Sequence, residues 1–369
     1  MPSDDVLLPL FEAGVQAVRG DTAVSTALRD APCPVPDQII AVGKAATAMA
    51  LAARARFPDA PLLIVTKYGH STGAPDGAEI IEAAHPVLDE MSLKAGARVG
   101  AVVRSMAPGS HLLMLVSGGA SALVEDPADP LTLTDLTARA EKMLASGADI
   151  HEMNAARKNM SRVKGGKLLA AFKGASVTTL AISDVEGDSL DIIGSGIGAA
   201  PKPANFMFDP RIVASNAIAR SAVARAAAAQ GIPVQTNEET LYEDINIVAP
   251  RIAKVLTSGA SGLHLFGGEP TVVLPPNPGE GGRNQALALL IAREIAGVQD
   301  LRVLVAGTDG TDGPTDAAGA IVDGALWESS GQGALERADA GTWLSARNAL
   351  LKTGPTGTNV MDLVIALKS

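Results

Sequence analysis

Short apolar runs recur along the chain, and each ends at glycine or polar residues. Runs of this length that are rich in Val, Ile and Leu are typical of buried strands. We predict strands at residues 38–42, 62–66, 80–82, 112–116, 177–182, 263–266, 271–274 and 301–306, and a closing strand within 350–367. Between many of them lie alanine-rich segments with helical spacing. This alternation predicts an α/β fold in which helices cover a parallel sheet on both faces.

A change in composition near residue 235 indicates a domain boundary. An alanine-rich helix is predicted between Pro210 and Gly231, and Glu238, Glu239 and Glu243 cluster soon after it. A chain of 369 residues has the length of two or three domains at roughly 150 residues each. We therefore expect an N-terminal domain at 1–235 and a second domain at 236–369.

Overall composition narrows the class of protein. Hydrophobic residues make up 47% of the chain and aromatic residues 3%, which favours close packing of helices on a sheet over a β-sandwich. A net charge of −10 argues against a general nucleic-acid binder. The single cysteine, Cys33, cannot form an intramolecular disulfide, which fits a cytoplasmic protein. The start of the chain is acidic, with helically spaced apolar residues, so we expect no export signal. No apolar run approaches about 18 residues, so we expect no membrane span.

The first candidate site is the glycine turn that follows the run at 112–116. Ser117, Gly118, Gly119, Ala120 and Ser121 lie between this strand and a predicted helix. Glycine lets backbone N–H groups approach a ligand, and a helix N-terminus favours an anion. The segment is therefore a candidate phosphate site, although an ordinary strand-to-helix turn would have the same composition.

Two further charged positions follow predicted strands. Lys44 comes directly after residues 38–42 and Gly43, where it could contact a phosphate or carboxylate or simply face solvent. Asp184 follows the strand at 177–182, and Asp188 lies nearby, so both are candidate Mg²⁺ ligands. Open α/β sheets gather their ligands at the carboxyl ends of strands.

Two more polar segments offer roles that the sequence leaves open. His85 precedes Pro86 and could be a ligand contact or a structural residue, while Asp89 or Ser92 could cap the next helix. The basic segment that includes Arg157 and Lys164 could be a solvated face or an anion site.

The second predicted domain carries two glycine-rich loops. Gly281 and Gly282 precede Arg283 and Asn284 at a helix start, where N–H groups and a guanidinium would suit phosphate oxygens. The loop GTDGTDGPTDAAGA, which contains Asp309, offers hard oxygen ligands for a cation, but its aspartates could instead form Asx turns.

Taken together and in order, these motifs resemble the D-glycerate 2-kinases that carry a C-terminal MOFRL domain, a family in which the name hydroxypyruvate reductase also occurs. The resemblance covers nearly the whole chain. The segments that carry it are VGKAA, HPVLDEMS, VSGGASAL, NAARKNMSRVKGGKL, ISDVEGD, GGEPTV, GGRNQALAL, GTDGTDGPTDAAGA and TGPTGTNVMDL.

The resemblance implies ATP- and Mg²⁺-dependent phosphorylation of the 2-hydroxyl of D-glycerate. It implies a Rossmann-like three-layer N-terminal domain, a smaller α/β MOFRL domain and an active site in the cleft between them, with Lys44 and Arg283 as the catalytic pair. Nucleotide contacts are then expected from Ser117–Ser121, Gly281, Gly282 and Asn284, and metal contacts from Asp184 or Asp188. Arg157, Lys164 and Asp309 are expected to contact substrate. The partners are small molecules, and a homodimer is left open.

Two departures from the family pattern and two rival functions remain. Ala286 stands where the family usually has glutamate, and the loop after Gly196 lacks the usual proline-threonine pattern, so substrate preference or a metal contact could differ. A hydroxypyruvate reductase would need a nicotinamide site, yet Gly194–Ala199 matches GxGxxA only formally, without a strand directly before it. A non-catalytic nucleotide or metabolite sensor would keep the glycine loops without needing both Lys44 and Arg283.

Overall fold

We analysed a computed structural model of the chain, which describes residues 4–145 and 150–369. The chain divides into two compact units. The N-terminal unit comprises Val18–Ser215 together with Gly357–Asn359, and the C-terminal unit comprises residues 4–17, Asn216–Thr356 and Val360–Ser369.

The N-terminal unit contains six strands and the helices that pack on them. The strands are β1 (Gln38–Val42), β2 (Leu62–Lys67), β3 (Glu79–Ala83), β4 (His111–Val116), β5 (Ser176–Ile182) and β6 (Met207–Ala214). After α1 (Asp4–Val18), which lies almost wholly in the other unit, its helices are α2 (Gly20–Asp30), α3 (Ala46–Arg56), α4 (Glu90–Ser105), α5 (Ala120–Leu123), α6 (Leu133–Ala145), α7 (Ile150–Met160) and α8 (Lys167–Ala170). Single turns of 3₁₀ helix lie at Glu186–Asp188 and Ile193–Gly196.

All six strands of this unit are parallel, in the order β3-β2-β1-β4-β5-β6. Every residue of β4 is buried, as is all of β1 after Gln38, because helices cover both faces of the sheet. Parallel neighbours require crossover connections. α3 connects β1 to β2 and α5 to α8 connect β4 to β5, whereas a loop at residues 68–78 connects β2 to β3. The predicted parallel α/β architecture is confirmed.

Local sequence explains where α4 begins. The Ser92 N–H donates to the Asp89 carboxylate at 2.9 Å, and the Asp89 N–H donates to the Ser92 hydroxyl at 3.2 Å. This reciprocal cap satisfies N–H groups that a helix start otherwise leaves without partners. The predicted capping by this pair is therefore confirmed.

The C-terminal unit holds a second, mixed sheet. Its strands are β7 (Val234–Leu241), β8 (Gly262–Gly268), β9 (Leu301–Gly307), β10 (Gly319–Asp323), β11 (Leu350–Leu351) and β12 (Asp362–Lys368). Its helices after α1 are α9 (Asn216–Ala229), α10 (Ile245–Ser258), α11 (Arg283–Glu294), α12 (Ser330–Glu336) and α13 (Ala340–Ser345). None of the helices within residues 4–145 and 150–369 combines the length and the apolar character that a membrane crossing requires.

The strand order in this sheet is β11-β10-β9-β12-β8-β7. Only β7 and β8 are parallel, and β12 runs antiparallel between β8 and β9. The start of β12 therefore lies beside the ends of both neighbours, with Asp362 paired in register with Gly268 and with Gly307. This register places several loops and Asp362 at one edge of the sheet.

The elements around the predicted domain boundary differ from expectation. The predicted helix between Pro210 and Gly231 begins only at Asn216, because the preceding residues form β6. Glu238 and Glu239 lie on β7, whose polar side chains are largely exposed at the sheet edge, and Glu243 follows that strand shortly before α10. The two compact units divide after Ser215, between β6 and α9. Residues 271–274 form no strand, and Thr271 makes an isolated bridge to Asp244.

Candidate active site

The strand order of the N-terminal sheet places three of the predicted residues at one edge. The order reverses between β1 and β4, and in open α/β sheets ligands bind outside the carboxyl ends of the strands at such a switch point. Lys44 follows β1, Gly118 follows β4, and Asp184 follows β5, the next strand in the sheet. The candidate site of this unit therefore lies where the fold most often gathers ligands.

Gly118 and Gly119 are enclosed by polar side chains. A Cβ atom on Gly118 would lie 2.2 Å from Oδ2 of Asp184 and 2.7 Å from Nδ2 of Asn359. A Cβ on Gly119 would lie 3.0 Å from the His85 ring and 3.2 Å from Cγ of Lys44. Gly119 also has a φ of +83°, which favours glycine. The absence of a side chain at the two glycines thus leaves room for Asp184 and Asn359 at Gly118 and for His85 and Lys44 at Gly119.

The serine that precedes these glycines supports the turn from inside. The Ser117 side chain is fully buried, and its Oγ accepts a hydrogen bond from the Ala45 N–H at 3.1 Å. The Lys44 N–H donates to the Gly118 carbonyl at 2.9 Å. These bonds tie the loop after β1 to the loop after β4, so the Ser117 hydroxyl serves the fold at this point.

The helix after the glycine turn is a single turn. α5 spans four residues, so it contributes far less dipole than a full helix would. Ala120 is buried, whereas Ser121 is half-buried with its Oγ 2.9 Å from Oγ of Ser195. Any anion held here would rely on the glycine backbone and the surrounding side chains, because the helix adds little.

The predicted metal ligands have different surroundings. Asp184 is half-buried beside Gly118 and Asn359. Asp188 ends a 3₁₀ turn with a φ of +53°. Among the described residues, no three His, Cys, Asp or Glu side chains group closely enough to hold a metal by themselves. Mg²⁺ commonly binds one or two carboxylates and completes its shell with water and phosphate oxygens, so a single carboxylate here fits that ion.

Lys164 has a different environment from the one predicted. It is 2% exposed, and its Nζ donates to the equally buried Glu125 carboxylate at 2.5 Å. Burial lowers the pKa of Lys164, although the negative charge of Glu125 opposes that fall. Arg157 is half-buried close to the same carboxylate, and burial lowers its pKa as well. Lys164 is therefore turned inward to Glu125, which makes it a poor candidate for a substrate contact.

In the C-terminal unit, Arg283 is the first residue of α11 and lies between two carboxylates. Its Nε donates to Asp362 Oδ2 at 2.7 Å, and its Nη1 lies 2.8 Å from Glu269 Oε1. Asp362 is 2% exposed, while about a third of the Arg283 side chain remains exposed. Burial disfavours the charged guanidinium, but Asp362 and Glu269 outweigh burial and raise the pKa of Arg283.

The N–H groups at the start of α11 are already occupied. The Asn284 and Gln285 N–H groups donate to the two oxygens of the Asp312 carboxylate at 3.0 and 2.8 Å. A Cβ on Gly282 would lie 2.3 Å from Asp312, so this glycine admits the carboxylate. Burial raises the pKa of Asp312 to about 6, opposed by those two N–H groups.

The glycine loop at the start of α11 thus has partners other than the predicted phosphate. Gly281 approaches the backbone of Gly341, where a Cβ would lie 2.9 Å from its nitrogen. Asn284 is 1% exposed, and its Oδ1 has no hydrogen-bond partner in the described structure. The phosphate site predicted from Gly281, Gly282 and Asn284 therefore has its helix-start N–H groups bound to the carboxylate of Asp312 instead.

Asp309 forms the Asx turn that the sequence left open as an alternative. Its Oδ1 accepts hydrogen bonds from the Thr311 N–H and hydroxyl, both at 3.0 Å. These bonds organise the loop that follows β9. One oxygen of this carboxylate therefore has a local structural role.

Sequence reasoning did not assign Glu125, Glu269, Asn359 or Asp362 to any role. It gave Asp312 only as one of the loop aspartates that could bind a cation or form an Asx turn. Several of these lie in segments that carry the family resemblance, such as GGEPTV and TGPTGTNVMDL, and this was the available signal. Asn359 belongs to the N-terminal unit although it lies near the end of the chain. The Thr358 hydroxyl donates to the Val18 carbonyl at 2.6 Å, which fixes this returning segment.

Comparison with known proteins identifies two family domains. The family described as Domain of unknown function (DUF4147) matches residues 6–230, and the MOFRL family matches residues 262–362. D-glycerate 2-kinase of Thermotoga maritima is 36% identical over 410 residues, covering 98% of this chain and 97% of that protein. A protein of Agrobacterium vitis with the provisional name hydroxypyruvate reductase is also 36% identical, covering 97% of this chain and 93% of its own length.

A solved structure has the same fold. The crystal structure of glycerate kinase from Thermotoga maritima matches with a TM-score of 0.88 at 32% identity and covers 99% of each chain. Similarity thus extends over both units. The chain belongs to the family that joins a DUF4147 domain to a MOFRL domain, the family of D-glycerate 2-kinase of Thermotoga maritima.

Proposed function

We propose that this protein is an ATP-dependent glycerate 2-kinase that converts D-glycerate to 2-phosphoglycerate. The observation that carries the proposal is the placement of Asp184 beside Gly118 and of Lys44 beside Gly119 at the switch point of the sheet, in a chain that is 36% identical to a D-glycerate 2-kinase. A bare glycine backbone with one cation and one carboxylate suits a phosphate chain and its metal ion.

In the proposed reaction, the 2-hydroxyl oxygen of glycerate bonds to the γ-phosphorus of ATP. The bond from that phosphorus to the β,γ-bridging oxygen breaks, ADP leaves, and the hydroxyl proton is released. Phosphoryl transfer requires little covalent participation by the protein and depends mainly on positioning of the reactants and on charge neutralisation. We assign Lys44 and Arg283 to neutralising the transferring group, and Gly118, Gly119 and Ser121 to contacting nucleotide phosphate.

We assign the Mg²⁺ that accompanies ATP to Asp184. A carboxylate beside a glycine loop is the hard oxygen ligand that Mg²⁺ prefers, and the phosphates and water would complete its shell. Asp188 is the second candidate, because it follows Asp184 on the adjacent 3₁₀ turn. Bound Mg²⁺ would neutralise charge that develops on the phosphate oxygens.

For the glycerate carboxylate, we retain Arg157 and set aside Lys164. Arg157 is half-buried and is attracted by the negative charge of Glu125, but it makes no direct ion pair with Glu125 in the described structure. The several N–H donors of its guanidinium suit a carboxylate ligand. Lys164 instead neutralises Glu125 at 2.5 Å. Asp309 remains a candidate for contacting substrate.

The experiment is an assay with D-glycerate and ATP–Mg²⁺ that follows ADP release, with the product identified by proton-coupled ³¹P NMR. Phosphate on the 2-oxygen couples to one methine proton and gives a doublet, whereas phosphate on the 3-oxygen couples to two methylene protons and gives a triplet. A doublet is expected. A triplet would mean that the protein is a kinase of the other hydroxyl, and no ADP release would overturn the proposal.

The name of the Agrobacterium vitis relative provides the second candidate, hydroxypyruvate reductase. Nicotinamide folds with this strand order carry a GxGxxG turn directly after β1, and here β1 leads into Gly43-Lys44-Ala45-Ala46. A parallel assay with hydroxypyruvate and NADH or NADPH, read by loss of cofactor absorbance, tests this candidate. Binding of ATP without either reaction would favour the sensor instead.

A further inference from the structure

Met361 has an unusual backbone conformation directly before the carboxylate that holds Arg283. Its φ is +67°, in the left-handed region that long side chains rarely adopt. Met361 is also buried, at 3% exposed. Such a conformation persists only where surrounding contacts determine it, and it is often found at functional sites.

Thr308 provides the first of those contacts. Its N–H and its hydroxyl donate to the Met361 carbonyl at 3.0 and 2.7 Å, and its Oγ1 accepts the Val360 N–H at 2.9 Å. Thr308 is fully buried. This one residue therefore binds the backbone on both sides of the Met361 α-carbon.

Asn216 provides the second contact. Its Nδ2 donates to the Val360 carbonyl at 2.9 Å and to the Asp362 carbonyl at 3.0 Å. The side chain is fully buried, and a Cβ on Gly267 would lie 1.7 Å from its Oδ1, so β8 needs glycine at that position. Asn216 thus spans from the start of α9 to the start of β12.

Arg220 fixes which way the Asn216 amide faces. Its Nε donates to Asn216 Oδ1 at 2.8 Å, and its Nη2 pairs with Glu239 at 2.7 Å. Arginine can only donate and backbone carbonyls can only accept, so only one amide orientation satisfies all three hydrogen bonds. The donors of Asn216 are therefore committed to the two carbonyls that flank Met361.

We propose that the left-handed turn at Met361, held by Asn216 and Thr308, is a positioning device that directs the Asp362 carboxylate at Arg283. The proposal rests on the proposed kinase function, in which Arg283 acts on the transferring phosphate. Asp362 lies at the first position of β12, so the backbone turn immediately before it sets the direction from which its carboxylate meets the guanidinium. Asn216 and Met361 are positioning residues, because they act through Asp362 and touch no reacting atom.

Two substitutions at Met361 separate backbone positioning from packing. Met361→Gly keeps the left-handed conformation at low cost but removes the whole buried side chain. Met361→Val retains most of the apolar volume, but a β-branched residue strongly disfavours a positive φ. We expect Met361→Val to lower kcat by about 10- to 100-fold, with the KM values for ATP and glycerate within about threefold of the parent. Met361→Gly should keep kcat within about threefold. If Met361 only fills space, Gly will lower kcat more than Val, which would overturn the proposal.

Asn216→Asp is the independent variant if either Met361 variant fails to fold. It keeps an acceptor for Arg220 but offers no donor to the Val360 and Asp362 carbonyls, so kcat should fall as in Met361→Val, with little change in KM. Arg283→Ala is measured beside it. If the parent transfers phosphate and Arg283→Ala loses rate, while Asn216→Asp and Met361→Val retain kcat, this inference alone is overturned. If the parent does not phosphorylate glycerate, the proposed function fails and this inference falls with it.

Discussion

Substitutions in the buried ion pair between Lys164 and Glu125 can distinguish two roles for Lys164. The sequence suggested an anion ligand, whereas the structure indicates a residue that stabilises the fold. Both side chains are 2% exposed and meet at 2.5 Å. We consider Lys164→Met, Glu125→Gln and the double variant. Each single change leaves one buried charge without its partner, whereas the double change removes both charges.

The expected magnitudes follow from this geometry. Attraction across 2.5 Å is about 7 kcal/mol at an effective dielectric of 20, but withdrawing each ion from water costs several kcal/mol, so the net value of the pair is small. Losing one partner should cost about 3–5 kcal/mol in the free energy of unfolding. Glu125→Gln should cost more than Lys164→Met, because it leaves Lys164 facing the like charge of Arg157. The double variant should recover at least about 2 kcal/mol relative to the sum of the single changes.

Urea unfolding followed by far-UV circular dichroism measures these values. Tryptophan fluorescence would report only on the C-terminal unit, because both tryptophans, Trp327 and Trp343, lie there. Arg162→Met is the matched control, because Arg162 pairs with Asp126 while 49% exposed and should cost less than about 1 kcal/mol. Steady-state kinetics of the folded double variant complete the test. A KM for glycerate raised about 100-fold despite recovered stability would show that Lys164 contacts substrate and would refute this reasoning.

Three further predictions concern residues of the two units. Arg283→Ala should lower kcat by about 10³-fold in the ADP-release assay, and a normal kcat with weaker nucleotide binding would contradict a role on the transferring phosphate. Gly118→Ala should lower kcat/KM by at least about 10-fold and raise the Mg²⁺ concentration needed for half-maximal rate, because its Cβ would lie 2.2 Å from the Asp184 carboxylate. Gly333→Ala is the control, since its Cβ would meet only the flexible end of Arg337, and equal kinetics for both variants would dismiss the Gly118 contact. Asp312 has a pKa raised by burial from 3.8 to about 6, so the folded state binds this proton more tightly than the unfolded state, and this group's contribution to stability is lost as pH rises from about 4 to about 6. The wild type should therefore gain about 3 kcal/mol relative to Asp312→Asn as pH falls through that range, measured by urea unfolding, and a pH-independent difference between the two proteins would contradict the raised pKa.

The backbone framework of the N-terminal site could be predicted from sequence for a simple reason. A strand buried on both faces must be continuously apolar, so the sequences of β1 and β4 are easily recognised. The residues that directly follow two such parallel strands must lie at the same edge of the sheet. Lys44 and Gly118 follow from that rule. Strands such as β6 and β7 could not be found this way, because edge strands with exposed side chains lack the apolar run.

The partners of the polar residues were beyond sequence reasoning. Glycine residues at a helix start favour any acceptor, so the same pattern fits an external phosphate and the internal carboxylate of Asp312. Lys164 in a basic run has the same composition whether it faces solvent or Glu125. Long-range pairings such as Asn359 with Gly118 depend on the path of the returning chain, which no local pattern encodes.

The surroundings of Arg283 explain how one arginine can be strongly bound inside the protein and still be available to a phosphate. The guanidinium has five N–H donors, and Asp362 and Glu269 engage its Nε, Nη2 and Nη1 atoms with one donor each, which leaves two donors on the partly exposed side chain. The two carboxylates more than balance its charge, so attraction for a ground-state anion is weakened. Their hydrogen bonds also fix the group in place, so no reorganisation is needed when charge shifts onto the phosphate oxygens during transfer. An arginine held in this way is suited to stabilising the transition state more than to binding substrate, and its loss should therefore appear in kcat before KM.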